Sequence, residues 1–433
     1  MLSISIFTAL LVGIISTSCS ASRPILQSVL NAHAPEHGPL TPALAAPCDG
    51  YGFPHVTCMH RYGSVINGDF ERKVLMPYED TYPATTVLSD PSFHNVANSS
   101  FLVYDEAQGR KILGSSPVVD FMFRIPNVTH EAPVYVPDTN ELYFSRLTHG
   151  FLPQLVVNLS VTPPTLSERL ADPPIYAPAG ARYKDGSIIY ATIGGHHSLE
   201  GHSFHPGLYA LDVASGKSRV LLNNYYGYYF NSVDDLDIDA KGQIWFTDND
   251  YGRPDGVNTQ PPQINVGTYR FDPHTGQVAL VEDTLSQPNG VAFSPDQRTL
   301  YLTDTGAGEV IISPHVSPPP PRWNSTKPRT VYAYDVSPSG KQLLNKRPIH
   351  YAMEFVPDGI KVSREGYVLT ATGYGIDVLT PDGTPIVRVL TNFTVVNIAW
   401  VGRGEGGATG ELWAVGKMGV ARVRWGLKGP VVD

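Results

Sequence analysis

Four side chains that carry oxygen donors occupy equivalent places along the chain. Each lies about ten residues before a short strand-like pattern that recurs in the sequence, and each precedes a different copy of it. The four are Glu131, Asp234, Asn289 and Asp358. Asn397 precedes another copy at a looser offset, and the remaining copy has Gly180 or Ala181 at this place, which offers no oxygen side chain.

Convergence of these four side chains would create a site for a hard cation. Carboxylates held together in poorly solvated surroundings repel one another unless a cation lies among them. The set contains only oxygen donors, which favours Ca²⁺ and leaves Mg²⁺, Mn²⁺ and Zn²⁺ as weaker candidates. The alternative is that the Asn-Gly and Asp-Gly pairs at 289–290 and 358–359 simply form turns between strands.

The recurring pattern is a polar or glycine-containing turn followed by a strand with a bulky apolar centre. Its six copies are residues 140–145, 186–191, 242–247, 298–303, 366–371 and 410–415. A second strand type follows most copies, and the alternation has a period of two residues. No stretch has the 3.6-residue periodicity of an amphipathic helix.

Six copies with about four strands each predict an all-β fold, a six-bladed β-propeller with a metal site in its central channel. Packing around an axis buries the apolar faces that a single blade would expose. The place about ten residues before each copy, called the register position below, begins the strand nearest the axis. The oxygen side chains at this position are therefore expected at one mouth of the channel. Residues 101–104 are predicted to supply the outer strand of the last blade; an open β array or sandwich is the alternative.

The composition excludes several classes of protein. Among 433 residues, 40 Gly and 38 Pro with only 16% charged residues suit short strands joined by turns, and disfavour helical bundles and disordered chains. The net charge of −9 and the lack of a Lys/Arg cluster exclude nucleic acid as the main partner. No segment after the leader has 18 uncharged apolar residues, so no membrane partner is expected.

The start of the chain has the pattern of a signal peptide. Residues 4–15 are almost entirely apolar and small residues follow, which predicts cleavage near Ser20 and a secreted, extracellular protein. Cys48 and Cys58 then remain, and an oxidising compartment favours their pairing as a disulfide. Five Asn-x-Ser/Thr sequons predict a glycoprotein: Asn98, Asn127, Asn158, Asn324 and Asn392.

Three regions follow from these features. They are a signal peptide at residues 1–20, an N-terminal extension at 21–95 that contains the Cys48–Cys58 pair, and a propeller at 96–433. The proline-rich stretch 313–329 is predicted to be an exposed loop within the fourth blade, because proline removes ladder hydrogen bonds.

Two repeat units resemble motifs of the SMP-30/gluconolactonase family. Residues 286–306, which begin Ser-Gln-Pro-Asn-Gly and end Thr-Asp-Thr-Gly, are similar to the family's fourth-blade motif. Residues 230–248, which begin Phe-Asn-Ser-Val-Asp-Asp, resemble its third-blade motif. The resemblance covers roughly residues 100 to 425, and the leader and sequons make the chain most similar to the secreted fungal lactonohydrolases of that family.

The resemblance implies a divalent cation, usually calcium, in the channel of a six-bladed propeller. The family's metal-site glutamate falls on Glu131, its Pro-Asn-Gly asparagine on Asn289 and its Pro-Asp-Gly aspartate on Asp358. The family commonly has Pro-Asn-Asp in the third blade, so its asparagine falls on Asp234. This replacement adds a negative charge and leaves open whether Asp234 binds the metal directly.

The resemblance also implies hydrolysis of a small-molecule lactone, of an aldonate-type or related hydroxy acid. The cation would polarise the carbonyl, a water would attack, and a carboxylate would take its proton. The candidate catalytic residues are Asp235, Asp358 and His196. The candidate substrate-binding residues are Asn231, Arg182 and His197.

Several alternatives remain at this stage. The two histidines can be loop residues with local hydrogen bonds, Arg182 can be structural, and the Tyr225–Tyr229 cluster can pack between blades rather than stack on a sugar. The same metal could hydrolyse another ester or a phosphotriester. A non-catalytic glycan-binding propeller with structural calcium is the rival of a different class. The sequence carries no signal of oligomeric state.

Overall fold

The computed structural model describes residues 45–49, 52–60, 64–66, 69–72, 82–309, 322–402 and 410–430. All of them lie within one compact unit, Ala43–Asp433. The predicted signal peptide and the Pro318–Pro321 run lie outside the described residues. Of the helices described, none is both long and apolar enough to cross a membrane.

The described chain is built from 34 strands and few helices. The strands that precede and form the first blades are β1 (Ala45–Ala46), β2 (Val56–Met59), β3 (Phe70–Glu71), β4 (Thr86–Val87), β5 (Phe101–Val103), β6 (Val118–Thr129), β7 (Val134–Val136), β8 (Glu141–Phe144), β9 (Gln154–Asn158), β10 (Thr165–Arg169), β11 (Pro178–Lys184), β12 (Ser187–Thr192), β13 (His196–Leu199), β14 (His202–Phe204), β15 (Gly207–Asp212) and β16 (Ser218–Leu222). The remaining strands are β17 (Asn224–Tyr225), β18 (Tyr228–Tyr229), β19 (Val233–Ile238), β20 (Ile244–Asp248), β21 (Gly267–Asp272), β22 (Gln277–Glu282), β23 (Pro288–Phe293), β24 (Thr299–Asp304), β25 (Gly308–Glu309), β26 (Arg322–Trp323), β27 (Thr330–Val336), β28 (Leu343–Tyr351), β29 (Pro357–Val362), β30 (Val368–Thr372), β31 (Gly375–Leu379), β32 (Pro385–Leu390), β33 (Val395–Val401) and β34 (Glu411–Arg424).

Five antiparallel blades have four or more strands. They are β7–β10; β11, β12, β15 and β16; β19–β22; β23, β24, β27 and β28; and β29–β32, which β5, β2 and β1 extend to seven strands. A three-stranded sheet of β33, β34 and β6 lies between the last and the first of these. The innermost strands pack side by side in the order β7, β11, β19, β23, β29, β33 and back to β7, which closes a propeller.

The predicted number of blades is wrong. The structure has five blades rather than six four-stranded ones, because the sixth repeat copy opens a single 14-residue strand, β34. One end of β34 pairs with β33 and the other end pairs with β6. A strand from before the first blade thus supplies the third member of this sheet.

The N-terminal segment adds strands to the blade of β29–β32. β5 pairs with β32 and in parallel with β2, so the prediction that residues 101–104 complete the last blade is wrong; β6 pairs there instead. The predicted disulfide between Cys48 and Cys58 is present. Its sulfurs lie in the core cluster that also contains Phe101 and Val389.

Helices are short, but one contradicts the prediction that no amphipathic helix is present. Helix α1 (His94–Ala97) has one turn, and helix α2 (Glu106–Leu113) has two. Asp105 caps α2 by accepting a hydrogen bond from the amide of Gln108. Ile112 and Leu113 at its end are buried in the core. Two 3₁₀ turns, Tyr82–Ala84 and Pro91–Phe93, complete the helical segments.

Most of the core lies between adjacent blades. Fully buried Trp245 of β20, for example, packs edge-on against Phe293 of β23, and Leu300 and Leu302 of β24 belong to the same cluster. These contacts fix the angular position of each inner strand about the axis. The side chains at the start of those strands are therefore held on a rigid frame.

Candidate metal and active site

The four register residues lie at the starts of the inner strands. Glu131 comes just before β7, and Asp234, Asn289 and Asp358 are the second residues of β19, β23 and β29. Glu131, Asp234 and Asn289 are each at least nine-tenths buried, whereas Asp358 is only half-buried. Asp358 is thus the most solvent-accessible oxygen donor of the four.

Close approach of the inner strands explains why the second blade has no oxygen side chain at this position. A Cβ atom on Gly180 would lie 2.5 Å from the main-chain oxygen of Asp234. A Cβ atom on Gly359 would likewise lie 2.4 Å from Oδ1 of Asn397. Glycine at 180 therefore allows Asp234 to come near the axis.

Two asparagine side chains donate hydrogen bonds to the carboxylates of Glu131 and Asp234. Nδ2 of Asn397 donates to Oε2 of Glu131 at 3.0 Å, while its Oδ1 accepts the amide of Ile398 at 2.8 Å. Nδ2 of Asn249 donates to Oδ2 of Asp234 and, at 3.1 Å, to the carbonyl of Pro288. Asn397, which lies at a looser sequence offset, orients a neighbouring carboxylate.

The three carboxyl groups are close enough to influence one another strongly. Burial raises the pKa of Glu131 well above its usual value, and the charges of Asp358 and Asp234 raise it further. Burial also raises the pKa of Asp358, with added repulsion from Asp234 and Asp235, although a hydrogen bond from Asn289 opposes the shift. The pKa of Asp234 is raised by burial, against the hydrogen bond from Asn249.

Among the described residues, no Lys, Arg or His is a main influence on the pKa of these three carboxyl groups. The buried carboxylates of Glu131 and Asp234, the half-buried carboxylate of Asp358 and the amide of Asn289 form an all-oxygen donor set that suits a hard divalent cation. Among the described residues, however, no group of three or more His, Cys, Asp or Glu is already arranged to hold a metal ion. The donor chemistry of the four register residues fits a divalent cation.

Two buried threonines fix the main chain at the axis. Oγ1 of Thr247 donates to the carbonyl of Asn289 at 2.5 Å and accepts the amide of Asp235 at 3.1 Å. Oγ1 of Thr303 donates to the carbonyl of Asp358 at 2.8 Å and accepts the amide of Gly290 at 2.7 Å. Each hydroxyl thus ties its own blade to the register residue of the next one.

Both carboxylate oxygens of Asp235 are engaged by other groups of the protein. Its Oδ2 lies 3.3 Å from Nζ of Lys361, and its Oδ1 accepts the amide of Leu236 at 2.8 Å. Its side chain is 1% exposed and that of Lys361 is 4% exposed. This buried ion pair joins β19 to β29, two inner strands that β23 separates.

The predicted substrate residues Asn231 and Arg182 are also engaged within the protein. Nδ2 of Asn231 donates to Asp248 at 3.1 Å and to the carbonyl of Ile264 at 3.0 Å, and its Oδ1 accepts a main-chain amide. Nε of Arg182 donates to Oδ1 of Asp237 at 2.9 Å, two residues beyond the register position. Neither residue joins the cluster of register side chains.

His196 and His197 lie on the rim of the propeller at the end where the inner strands begin. Their hairpin follows β12, whose end pairs with the start of β11, and Gly195 bridges to Asn258 in the loop after β20. The ring of His196 packs at 5.6 Å from that of His149, and Nδ1 of His196 accepts the amide of Ser198. The ring of His197 lies 6.5 Å from that of His205.

The aromatic cluster Tyr225–Tyr229 has a divided role. Tyr225 is half-buried and packs edge-on against Tyr269, while Tyr229 stacks on His205 with ring centroids 3.8 Å apart. Tyr226 and Tyr228 are exposed. Interior packing therefore accounts for only part of the cluster.

Sequence reasoning missed several residues of the site. Thr247 is the last residue of the third repeat copy, and Asn249 lies two residues beyond it. A hydroxyl at the sixth repeat position, shared by Ser145, Thr247 and Thr303, was a signal that could have found the threonines. Asp255, in the loop between β20 and β21, contributes a charge that raises the pKa of both Asp234 and Asp358. It has no repeat position that would mark it in the sequence.

Comparison with known proteins identifies relatives over most of the chain. Residues 129–318 match the family model described as SMP-30/Gluconolactonase/LRE-like region. Lactonohydrolase oryL of Aspergillus oryzae is 60% identical, over 91% of this chain and 91% of the relative. Lactonohydrolase oryH of the same organism is 43% identical, over 91% of this chain and 95% of the relative.

Solved structures share the fold at low sequence identity. A gluconolactonase from Xanthomonas campestris superimposes with a TM-score of 0.59 and 21% identity, covering 75% of this chain and 94% of the other. A calcium-binding protein, regucalcin, from Agrobacterium tumefaciens gives a TM-score of 0.53 and 14% identity, covering 73% and 97%. These likenesses support the propeller architecture.

Proposed function

The chain belongs to the SMP-30/gluconolactonase family and is a lactone hydrolase, and we propose that it opens aldonate-type or related hydroxy-acid lactones with a divalent cation, Ca²⁺, at the channel axis. The relatives named lactonohydrolase match nine-tenths of the chain, which supports the reaction class. The observation that carries the proposal is the cluster of Glu131, Asp234 and Asp358: the charges of Asp234 and Asp358 raise the pKa of Glu131, and no Lys, Arg or His of the described residues is a main influence on the three groups.

Glu131, Asn289 and Asp358 are the proposed ligands, with Asp234 as a fourth. All provide oxygen, and the family resemblance of the Pro-Asn-Gly and Pro-Asp-Gly segments supports the same residues. When bound, the cation would polarise the lactone carbonyl and stabilise the negative charge that develops on its oxygen. The extra carboxylate at Asp234, where the family commonly has asparagine, would strengthen binding through its charge.

Asp358 is the proposed proton acceptor for the attacking water. Of the register carboxylates it is the least buried, so a water molecule that enters from the channel mouth can approach it most readily. Asp235 was the other sequence candidate, but Lys361 and the amide of Leu236 occupy its two oxygens. A base with both oxygens engaged would have to break an ion pair before accepting a proton.

The rim histidines are proposed to orient the substrate. Because Nδ1 of His196 accepts the amide of Ser198, the neutral ring carries its proton on Nε2. That N–H would donate to a lactone oxygen, and exposed His197 would contact the hydroxyl groups of the acid portion. Both residues lie on the side of the channel where the register side chains begin the inner strands.

Variants of the axis residues test this proposal. Asn289→Ala and Asp358→Ala should lose calcium binding, measured by isothermal titration calorimetry, together with acid release from aldonolactones, while the β circular dichroism spectrum persists. Retained hydrolysis in either variant would contradict the site. Asp235→Asn should keep both metal and hydrolysis; a variant that binds calcium but does not turn over would transfer the base role to Asp235.

The proposed setting is extracellular. We infer that residues 1–20 are removed as a leader, that residues 21–95 form an extension, and that residues 96–433 hold the propeller. Of the sequon asparagines whose side chains the structure describes, Asn98 and Asn392 are the exposed ones and therefore the most open to glycosylation. A mass shift on endoglycosidase treatment of the secreted protein, absent in Asn98→Gln/Asn392→Gln, would support this setting.

A further inference from the structure

A cavity of about 450 Å³ opens at the other end of the inner strands. Its wall includes Arg182, Lys361, Asp237, Val134, Phe293 and Trp400. Lys361 lies three residues beyond Asp358 on β29, and Asp237 lies three residues beyond Asp234 on β19. At about 3.3 Å per residue, this places the cavity about 10 Å from the register residues along the axis.

Arg182 brings unused hydrogen-bond donors to this cavity. Its Nε is bonded to Asp237 at 2.9 Å, but among the described residues neither Nη1 nor Nη2 has a hydrogen-bond partner. The side chain is 24% exposed and lines the cavity. A guanidinium has five N–H donors, so four remain for a ligand or for water.

Lys361 adds a second cation beside Arg182. Within the described chain, the ammonium group of Lys361 makes one hydrogen bond, to Asp235 at 3.3 Å, which uses one of its three N–H donors. The side chain is 4% exposed, so bulk water has little access to the other two. Buried donors of a charged group gain most from an acceptor that also carries charge.

The carboxylate oxygens of the acidic side chains in the wall, unlike the donors of Arg182 and Lys361, already accept hydrogen bonds within the protein. Oδ1 of Asp237 accepts Nε of Arg182 and the amide of Ile238, while Oδ2 accepts the amide of Phe293 at 2.9 Å. Oδ1 of Asp239 accepts two main-chain amides, and Oδ2 accepts Nε1 of Trp245 at 3.1 Å. The polar groups left over at the cavity are therefore mainly donors.

From this imbalance we propose that the cavity is a binding site for a small organic carboxylate, separate from the candidate active site. The carboxylate accepts from the Nη groups of Arg182 and from Lys361. Its carbon skeleton lies against Val134, Phe293 and Trp400. An inorganic anion would satisfy the donors but would leave most of the volume and the apolar wall without contacts.

Intrinsic fluorescence of the full-length protein tests this site, because Trp400 lines it. The probes are sodium gluconate, sodium sulfate at equal ionic strength, and sorbitol as the neutral analogue. Gluconate should change the emission saturably, and the change should disappear in Trp400→Phe. Saturation by sorbitol alone, or by sulfate but not gluconate, would overturn the carboxylate assignment.

Two variants with a matched control separate this site from product bound at the axis. Arg182→Gln should weaken gluconate binding by a factor of about 10, the loss expected for charge-assisted hydrogen bonds. Arg219→Gln removes an exposed arginine on β16 and should leave the affinity unchanged. Equal affinity in Arg182→Gln and the wild type would overturn the proposal.

Ala240→Phe keeps the test decisive if Arg182→Gln folds poorly. Ala240 is exposed and lies at the cavity wall, so phenylalanine there narrows the cavity without touching the Arg182–Asp237 pair. Gluconate binding should fall at least 10-fold in this variant. Undiminished binding with a normal circular dichroism spectrum would place the ligand elsewhere.

Discussion

Thr303→Val should destabilise the channel axis although it leaves the shape of the side chain almost unchanged. The hydroxyl of Thr303 is fully buried, donates to the carbonyl of Asp358 and accepts the amide of Gly290. Valine removes both bonds and leaves two buried main-chain groups without partners. Each such group costs about 1–3 kcal/mol, so the free energy of unfolding should fall by about 2–6 kcal/mol.

The effect should extend to metal affinity because Asp358 is itself a proposed ligand and Gly290 directly follows the proposed ligand Asn289. Loss of a group that orients metal ligands typically weakens binding by a factor of about 10 to 100. Urea unfolding in chelator measures the loss of stability, and calorimetric titration with Ca²⁺ measures the affinity. Thr303→Ser, which keeps the hydroxyl, should retain most of both.

Thr299→Val is the matched control on the same strand. The hydroxyl of Thr299 makes no hydrogen bond with the described residues, and the residue is half-buried. The same exchange there should change stability and calcium affinity little. If Thr303→Val costs no more than Thr299→Val, the hydroxyl does not position the axis and the reasoning fails.

Two further predictions concern the buried ion cluster of the blade of β29–β32. Arg388→Met should lower the free energy of unfolding by about 3–5 kcal/mol in urea titrations, because it leaves buried Glu354 and Asp377 without their shared cation. Arg347→Met, which removes an exposed ion pair with Asp335, should lower it much less. Equal losses in the two variants would contradict the role of burial. Burial alone would raise the pKa of Asp377, but Arg388 and His350 hold that pKa below its usual value. The ionised Asp377 therefore stabilises the fold above a pH of about 4, and this stabilisation is lost as the pH falls through the lowered pKa. The difference in melting temperature between the wild type and Asp377→Asn should therefore shrink below pH 4, and a difference independent of pH would refute this assignment.

Repetition made the axis residues readable from sequence. The same strand pattern recurs with the same offset, so side chains such as Asn289 and Asp358 had to begin equivalent strands, and the structure has them at the second positions of β23 and β29. Their roles in metal binding and catalysis stay predictions.

Features that depend on pairing between distant segments were not readable. Whether residues 101–103 join one blade or another is decided by contacts with β32 and β2, and the three-stranded sheet depends on the length of β34 and on β6. The short helix α2 has its capping signal at Asp105, but eight residues give little periodicity to detect.

The roles of individual polar residues were also hidden, since a residue type does not reveal its partner. Asn231 and Arg182 looked available for substrate, yet Asp248 and Asp237 engage them. Asp235, next to a proposed ligand, is paired with Lys361, 126 residues away in the chain. Such pairs become visible only when the blades are assembled.

The most direct test of the central claim is acid release from a panel of aldonolactones and pantolactone, followed with a pH indicator before and after exhaustive chelation. Hydrolysis of at least one lactone should be lost with the metal and should return when Ca²⁺ is added back. Hydrolysis that persists after complete metal removal would contradict the central claim, because the carboxylates at the axis would then have no catalytic cation.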